Sequence, residues 1–246
     1  MTFEDHYSGH ADAYARHRPR YPDALFAWLA SLIPGRALAW DAGTGNGQVA
    51  IALSELVDRV VATDASAEQI ARAALHPKVE YRCGPAGVSG LPVGVVDLAT
   101  AAQAAHWFDL PAYYAEVRRV TRSGGIVALI SYGVVTAGAD LDAVIQPFYR
   151  DVLGSYWPPE RRHVDDGYRS LPFPFAELDA LALEIRLDWR LEDLVGYVAT
   201  WSAAWALQQA EGPGPFATFR RALADAWGGV AVRTVRWPLA LRVGRV

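Results

Sequence analysis

The chain has 246 residues and a formal net charge of −4, from 23 basic and 27 acidic side chains. Hydrophobic residues make up 52% and charged residues 20%, which excludes a disordered chain and indicates a large core. The mildly acidic balance argues against broad binding to nucleic acids or anionic membranes. Residues 1–19 are polar, and no apolar run is long enough to span a bilayer. Cys83 is the single cysteine, which excludes an intramolecular disulfide and favours a cytoplasmic location.

Strands and helices alternate in the first half of the chain. Short apolar runs predict the strands, and apolar residues at helical spacing predict the helices between them. The predicted strands cover residues 37–40, 59–63, 79–83, 95–101 and 126–132. The predicted helices cover residues 22–33, 49–56, 67–75 and 111–120. Strands that alternate with such helices are typical of βαβ units, so the sequence predicts a parallel sheet.

The pattern changes after Tyr132. Residues 133–229 are predicted to be largely helical, and residues 230–237 and 239–246 to be two strands, with Pro238 at a turn or an edge bulge between them. The sequence therefore predicts an α/β fold, a Rossmann-like doubly wound sheet of seven strands with the last one antiparallel, and a helical insertion. The predicted domains are residues 1–132 with 230–246 for the core and residues 133–229 for the insertion.

A glycine-rich loop follows the first predicted strand. Gly43, Gly45 and Gly47 alternate with other residues, which lets the backbone turn tightly and approach a ligand closely. The dinucleotide-binding fingerprint requires a glycine at the position of Gln48, so the sequence does not match this fingerprint. The carboxylate of Asp41, just before the loop, would repel a pyrophosphate but attract the ammonium and sulfonium groups of S-adenosylmethionine. An ordinary turn between a strand and a helix is the alternative.

A second acidic residue ends the next predicted strand. Asp64 lies 23 positions after Asp41, where a carboxylate can accept hydrogen bonds from both hydroxyls of a ribose. This feature is common to nicotinamide and S-adenosylmethionine sites, and an exposed turn aspartate is the alternative without a ligand. Asp41, the three glycines and Asp64 together are more specific than any one of them, and they favour S-adenosylmethionine.

Five further segments match a known family of proteins. They are YARHRPRYP at 14–22, QAAHWFD at 103–109, RSGG at 122–125, TWSA at 200–203 and WPLALRVGR at 237–245. With the glycine loop, these segments resemble the class I S-adenosylmethionine-dependent methyltransferases, in a small-molecule subfamily that includes methyltransferase type 11 and trans-aconitate-methyltransferase-like proteins. The resemblance covers nearly the whole chain.

The resemblance implies that S-adenosylmethionine binds beside the ends of the first, second and fourth strands. Asp41 would face the amino group of the cofactor and Asp64 its ribose. The other implied cofactor contacts are Gly43, Thr44, Gly45, Gly47, Gln48, Ala65, Ser66, Ile70, Pro85, Ala86, Gln103 and Ala104. The family often has an acidic side chain in the adenine loop, and residues 84–92 have none, so we expect backbone contacts there. Cys83 is expected to pack beside this loop.

The resemblance implies that the N-terminal segment, residues 1–21, forms a lid over the site. Arg18 would bind the cofactor carboxylate with Tyr14 beside it, and a solvated surface charge is the alternative. Tyr7 stands where the family often has Phe, so its hydroxyl would face the acceptor unless it only packs. His106 is the candidate general base, because an imidazole titrates near neutral pH. Its alternative role is to shape the pocket.

The insertion would form a substrate cap rich in aromatic residues. The implied acceptor contacts are Trp107, Tyr132, Trp157, Arg161 and Trp201. Residues 161–163 form the one dense basic cluster, which is either a solvated loop or a binding site for an acidic acceptor such as a carboxylate. No metal site is expected.

The resemblance implies methyl transfer from S-adenosylmethionine to an oxygen or nitrogen of a small-molecule acceptor, by SN2 displacement, with release of S-adenosylhomocysteine. An NAD(P)-dependent oxidoreductase and a non-catalytic S-adenosylmethionine-binding protein are the alternatives. We expect no nucleic-acid partner and no membrane partner, and a monomer or homodimer.

Overall fold

The first half of the chain alternates between strands and helices, as predicted. The computed structural model describes residues 19–246. The elements of this half are α1 (Asp23–Leu32), β1 (Leu38–Ala42), α2 (Gln48–Ser54), β2 (Arg59–Asp64), α3 (Ala67–Ala71), β3 (Val79–Cys83), β4 (Val96–Ala102), α4 (Leu110–Val120) and β5 (Thr121–Tyr132). A 3-10 turn, Ala105–Trp107, links β4 to α4. Strand β1 extends two residues beyond its predicted end, so Asp41 lies within the sheet.

The second half combines helices with three more strands. Its elements are α5 (Ala139–Pro147) with a π-helical continuation (Phe148–Val152), α6 (Arg161–Asp165), β6 (Ala176–Glu177), β7 (Glu184–Trp189), α7 (Leu191–Ala199), α8 (Ser202–Glu211), α9 (Gly214–Trp227) and β8 (Arg233–Arg245). Residues 133–229 are therefore not helical throughout, because β6 and β7 both pair with β8 and extend the sheet. The division of the chain into a core and a cap stays a prediction.

The sheet confirms the predicted Rossmann-like α/β fold. Strands β3, β2, β1, β4 and β5 are parallel neighbours in that order, and β8 lies antiparallel beside β5. The main path ends at β6 and contains seven strands within residues 19–246, while β7 pairs with the remaining part of β8. The chain moves outward in opposite directions from β1 and from β4. Open α/β sheets bind ligands at the carboxyl ends of strands beside such a reversal.

The C-terminal strand differs from its prediction. β8 is one continuous strand of 13 residues, so the prediction of two strands separated at Pro238 is wrong. Its residues 239–245 pair with β5, and its residues 233–238 pair with β7. Pro238 lies where the strand changes partner, and the next backbone N–H, of Leu239, donates to the Leu183 carbonyl at 2.8 Å. The missing proline donor therefore interrupts neither ladder.

Apolar side chains cover both faces of the sheet. Helices α1 and α2 bury Leu25, Leu29 and Leu53 against one face. Helix α4 covers the other face together with residues 164–171, which include the fully buried Tyr168. A separate apolar cluster joins α5, α7, α8 and α9 to β7 and β8. No helix between residues 19 and 246 is long and apolar enough to cross a membrane.

Candidate functional site

The glycine loop leaves the carboxyl end of β1 and is bound to the neighbouring strand. The backbone N–H groups of Gly43 and Thr44 donate to the Thr63 carbonyl of β2, at 2.8 and 3.0 Å. Gly43, Gly45 and Gly47 all have positive φ angles, of 66°, 56° and 87°. L side chains rarely adopt this left-handed conformation, which explains why glycine occupies all three positions.

The three glycines face different surroundings. A Cβ atom on Gly43 would lie 2.5 Å from the Cβ of Ala104, and one on Gly47 would lie 2.2 Å from the hydroxyl of Tyr81. A Cβ atom on Gly45 would have no described atom within 4 Å. Gly43 and Gly47 are thus required by packing within the protein. The backbone of Gly45 is the part of the loop that a ligand can approach closely.

Asp41 presents a buried carboxylate beneath the loop. Its two oxygens accept hydrogen bonds from the hydroxyls of Thr44 and Thr100, both at 2.6 Å. Burial raises the pKa of Asp41 to about 6, and the nearby charge of Asp64 adds to this increase, while the two hydrogen bonds oppose it. No lysine or arginine within residues 19–246 forms an ion pair with this carboxylate. Its surroundings favour a cationic ligand, because a cation offsets the cost of the buried negative charge.

Asp64 links the glycine loop to the end of β2. Its carboxylate accepts hydrogen bonds from the backbone N–H groups of Gly45 and Ser66, both at 2.8 Å. Each carboxylate oxygen can accept more than one hydrogen bond, so capacity for ribose hydroxyls remains. The side chain therefore fixes the loop and still lies where the sequence predicts a ribose contact.

The predicted adenine residues lie around the ends of β2 and β3. Ser66 is buried and caps α3 by accepting a hydrogen bond from the Gln69 N–H at 3.2 Å. The neighbouring positions are exposed or half-buried, and they are Ala65, Ile70, Pro85 and Ala86. The expectation that Cys83 packs is wrong, because this thiol ends the edge strand β3 and is exposed. Its sulfur lies 3.7 Å from the carbonyl oxygen of Ala65.

Gln103 has a strained backbone at the end of β4. Its φ angle is +52°, an unusual value for a residue with a side chain. Its N–H donates to the carbonyl of Ile130 and its side-chain amide to the carbonyl of Tyr132, both at 2.8 Å. These bonds hold the end of β4 against β5 and direct Ala104 onto Gly43. Such strain persists where the surrounding structure fixes it, often at functional sites.

His106 follows in the 3-10 turn and contacts the insertion. Its Nδ1 atom lies 2.9 Å from the hydroxyl of Tyr168. The ring centroids of His106 and Trp107 are 4.8 Å apart. Burial lowers the pKa of His106 to about 3, and electrostatic interactions with Arg161 and His163 act in the same direction. The imidazole is therefore neutral at physiological pH and a weak base.

An aromatic cluster in the insertion surrounds Arg161. Its guanidinium carbon lies 4.8 Å from the ring centroid of Trp157 and 5.5 Å from that of Tyr149. Its Nε atom donates to the Tyr149 hydroxyl at 2.8 Å and forms an ion pair with Asp165 at 3.3 Å. Trp201 is buried, and its ring lies 5.8 Å from that of Trp157. The basic cluster is therefore not a fully solvated loop, since Arg161 is held between aromatic rings.

The structure brings most of the predicted residues into two adjoining groups. Asp41, the glycine loop, Asp64 and residues 103–104 meet at the carboxyl ends of β1, β2 and β4. His106 is coupled electrostatically to the second group, around Arg161. The predicted residues Tyr7, Tyr14 and Arg18 lie outside the described residues, as does the greater part of the proposed lid over 1–21.

Three residues at the site were missed by sequence reasoning. Thr100 bonds to Asp41 because β4 aligns it beside Asp41 in the sheet, and the register could not be derived before the strand order was known. Tyr149 and Tyr168 contact Arg161 and His106 from distant segments of the insertion. Their aromatic character was visible, but their partners depend on how the insertion folds.

Comparison with known proteins identifies the chain. Residues 40–129 match the model of a family described as a methyltransferase domain. A methyltransferase of Dictyostelium discoideum is 35% identical over 204 residues, which span 81% of this chain and 78% of that protein. This chain belongs to the class I S-adenosylmethionine-dependent methyltransferases. The predicted family resemblance is thereby confirmed, as is the prediction that the chain is an S-adenosylmethionine-dependent methyltransferase enzyme.

Two further relatives of the methyltransferase agree with this assignment. A structure described as that of a type II methyltransferase from Anaeromyxobacter dehalogenans has 47% sequence identity and a TM-score of 0.88. The alignment covers 93% of this chain and 97% of that one. An uncharacterized methyltransferase of Mycobacterium tuberculosis is 38% identical over 120 residues, or 48% of each chain. The similarity thus extends beyond the family domain into the insertion.

Proposed function

We propose that this methyltransferase transfers a methyl group from S-adenosylmethionine to an oxygen or nitrogen atom of a small-molecule acceptor. The observation that carries the proposal is that two features lie side by side at the carboxyl end of β1. Asp41 offers a buried carboxylate without a described cationic partner, and Gly45 leaves open space in front of the adjacent backbone. A ligand with an ammonium group fits this combination, and the methionine part of S-adenosylmethionine has one.

The residues around the loop have distinct roles in this proposal. Asp41 holds the cofactor's amino group, and Asp64 holds the ribose while it fixes the Gly45 N–H. The loop from Gly43 to Gln48 would border the methionine part. Ala65, Ser66, Ile70, Pro85 and Ala86 border the adenine, and Gln103 and Ala104 close the side next to β4. When bound, S-adenosylmethionine supplies an electrophilic methyl group on a sulfonium.

The main task of the protein is to place the acceptor in line with that methyl group. The bound cofactor would supply the methyl group to a lone pair of the acceptor atom, and the electrons of the carbon–sulfur bond would return to sulfur. Orientation and exclusion of water supply much of the rate in such a step. Trp107 and Tyr132 of the core and Trp157 and Trp201 of the insertion would provide apolar walls for the acceptor. Tyr7, Tyr14 and Arg18 would close the site from the N-terminal lid.

The polar groups on the acceptor side favour a heteroatom as the methylated atom. His106 contacts the insertion through Tyr168, and Arg161 lies in the insertion between aromatic rings. Their nitrogen atoms would bind an oxygen or nitrogen of the acceptor. A base with a pKa of about 3 removes protons poorly near neutral pH, so His106 serves acceptor binding better than proton transfer. The net charge of −4 supports a small molecule rather than a nucleic acid.

The proposed acceptor class is tested by a product screen. The purified enzyme is incubated with S-adenosylmethionine and pools of small carboxylic acids, alcohols and amines, and separately with total RNA and with denatured protein. Mass spectrometry then detects added methyl groups. We expect methylation in a small-molecule pool that stops when the product S-adenosylhomocysteine is added in excess. Methylation of RNA or protein alone would contradict the proposal.

A further inference from the structure

Thr100 contacts Asp41 from the neighbouring strand of the sheet. Strands β1 and β4 are parallel neighbours, and their register places Thr100 directly beside Asp41. Both side chains are buried, with exposures of 0% for Thr100 and 1% for Asp41. The Thr100 hydroxyl donates to the Oδ1 atom of Asp41 at 2.6 Å. Because Thr100 is β-branched and lies inside the sheet, its hydroxyl is held in this position before a ligand binds.

The second hydroxyl on this carboxylate comes from the glycine loop. Thr44 donates to the Oδ2 atom of Asp41 at 2.6 Å, and its backbone N–H donates to the Thr63 carbonyl at 3.0 Å. Each carboxylate oxygen therefore accepts one hydrogen bond and retains capacity for another. An ammonium group has three N–H donors, so it can contact both oxygens. Thr100 orients the carboxylate from the sheet, and Thr44 orients it from the loop.

The surroundings of Thr100 suit both protonation states of Asp41. The Thr100 hydroxyl oxygen also lies 3.5 Å from the carbonyl oxygen of Trp40, which is a second and weaker acceptor. A hydroxyl group can rotate, and it can donate or accept. Beside ionised Asp41, Thr100 donates to the carboxylate. Beside protonated Asp41, it can accept from the acid and turn its own hydrogen toward Trp40.

The other groups near Asp41 disfavour its ionised form while no cation is bound. Burial raises the pKa of Asp41 to about 6, and the charge of Asp64 at the end of β2 acts in the same direction. Of the two hydrogen bonds that oppose this increase, that of Thr100 has the larger effect. Within residues 19–246, the other titratable groups that interact electrostatically with Asp41 are Tyr81 of β3 and Tyr113 of α4. Burial raises the pKa of both phenols, so they are neutral near pH 7.

We propose that Thr100 is a positioning residue of the cofactor site, whose hydroxyl orients the Asp41 carboxylate and stabilises its ionised form when the ammonium group of S-adenosylmethionine binds. This inference rests on the proposed function and specifies how the cofactor is held. Where Asp41 is protonated, its O–H bond breaks on binding and the proton passes to the solvent. The ammonium group then offsets the charge of the carboxylate. Binding is thus coupled to the release of a proton.

The role of Thr100 is tested first in the protein without a ligand. Carbon-13 NMR follows the titration of the Asp41 carboxyl group, and Asp41→Asn identifies its signal. We expect Thr100→Val to raise the pKa of Asp41, with an acid dissociation constant about tenfold smaller, because the hydroxyl that stabilises the carboxylate is lost. Thr100→Ser keeps the hydroxyl and should restore the wild-type titration. An unchanged titration in Thr100→Val would overturn the assignment.

Calorimetry in buffers of different ionisation enthalpy then measures the protons released when S-adenosylhomocysteine binds. With a pKa of about 6, the wild type should release about half a proton at pH 6 and about one tenth of a proton at pH 7. Thr100→Val should release about half a proton at pH 7 and bind several-fold more weakly there, and Thr100→Ser should match the wild type. The control Thr121→Val removes another buried hydroxyl, one without a hydrogen-bond partner in the described part of the chain, and should also match the wild type.

The outcomes separate a failure of this inference from a failure of the proposed function. If S-adenosylhomocysteine binds and Thr100→Val matches the wild type in proton release and affinity, the role of Thr100 is wrong while the proposed function stands. The same holds if Thr100→Ser behaves like Thr100→Val. If S-adenosylhomocysteine does not bind to the wild type, the proposed function fails and this inference fails with it.

Discussion

The chemistry of Asp41 depends strongly on its surroundings. The sequence places it before a glycine loop, but only the fold buries its carboxylate and joins it to Thr44 and Thr100. Because its pKa is raised to about 6, the folded protein retains a proton here that the unfolded chain releases near its ordinary pKa of 3.8. The contribution of Asp41 to stability therefore declines as the pH rises from about 4 to 6. A bound ammonium group would offset the free-energy cost of ionising this buried carboxyl group.

Cofactor affinity should consequently depend on pH through Asp41. Ionised Asp41 is the form that pairs with an ammonium group, and a pKa of about 6 makes this form about ten times more abundant at pH 7 than at pH 5. We expect S-adenosylhomocysteine to bind about tenfold more tightly at pH 7, as measured by calorimetry at both pH values. Asp41→Asn should bind weakly with little change across this range. A wild-type affinity that is the same at both pH values would contradict the pairing.

Gly43 and Gly94 separate backbone strain from steric clash. Both have a left-handed backbone, but a Cβ on Gly43 would lie 2.5 Å from Ala104, whereas one on Gly94 would meet no atom within 4 Å. We expect Gly94→Ala to lower the free energy of unfolding by about 1 kcal/mol, from strain alone. Gly43→Ala should cost about 2 kcal/mol more, because overpacking is added. Urea unfolding measures both values, and equal losses would refute the proposed clash.

These residues also show which parts of the site can be predicted from the sequence. Asp41, the glycines and Asp64 could be predicted because their spacing follows from one strand, one loop and the next strand. Tyr168 could not, since its contact with His106 joins positions 62 residues apart through the fold of the insertion. The exposure of Cys83 was likewise hidden, because a strand's position at the edge of the sheet depends on strand order.

At the scale of elements, Glu116 joins α4 to the loop before β4. Its carboxylate accepts hydrogen bonds from the N–H and hydroxyl of Ser89, at 2.8 and 2.5 Å, and from Arg119 at 2.7 Å. The Arg119 guanidinium lowers the pKa of Glu116 to about 2, and the bonds to Ser89 act in the same direction. This stabilisation is fully present above the ordinary pKa of about 4.5 and is lost as the pH falls toward 2.

Replacement of Glu116 should therefore lower the free energy of unfolding by an amount that depends on pH. We expect Glu116→Gln to lower the free energy of unfolding by about 2 kcal/mol at pH 7, because charged hydrogen bonds to Ser89 and Arg119 are lost. The loss should be smaller at pH 3, in urea unfolding at both pH values. The control Glu68→Gln alters an exposed ion pair with Arg72 and should change stability by less than about 0.5 kcal/mol. A loss of the same size at both pH values would argue against this account.

The elements of the sheet were easier to predict than those of the insertion. Most of the parallel strands are short apolar runs between helical segments, and β3 alternates charged residues with others, so the local pattern separates each strand from its neighbours. Strand β7 has an alternating burial pattern and lies in a region otherwise rich in helices, and its pairing with β8 is long-range. Pro238 suggested a turn because the partner change along β8 has no local signature.

At the scale of the whole molecule, the sheet and the insertion meet at the carboxyl end of β4. The core contributes the glycine loop, Asp41 and Asp64 to the candidate site, and the insertion contributes Arg161 and Tyr168. Residues 164–171 pack on the sheet beside α4 and thereby bring the two groups together. We infer that the core determines the cofactor and that the insertion determines the acceptor, so relatives that share residues 40–129 can differ in their acceptors.

Calorimetric titration of S-adenosylhomocysteine into Asp64→Ala tests the central claim, that the cofactor binds at the ends of β1 and β2. The control Asp58→Ala removes an exposed carboxylate just before β2. We predict one binding site in the wild type and in the control, and at least about tenfold weaker binding in Asp64→Ala, with its circular dichroism unchanged. Unchanged affinity in Asp64→Ala, or a wild type that binds NAD and not S-adenosylhomocysteine, would contradict the claim.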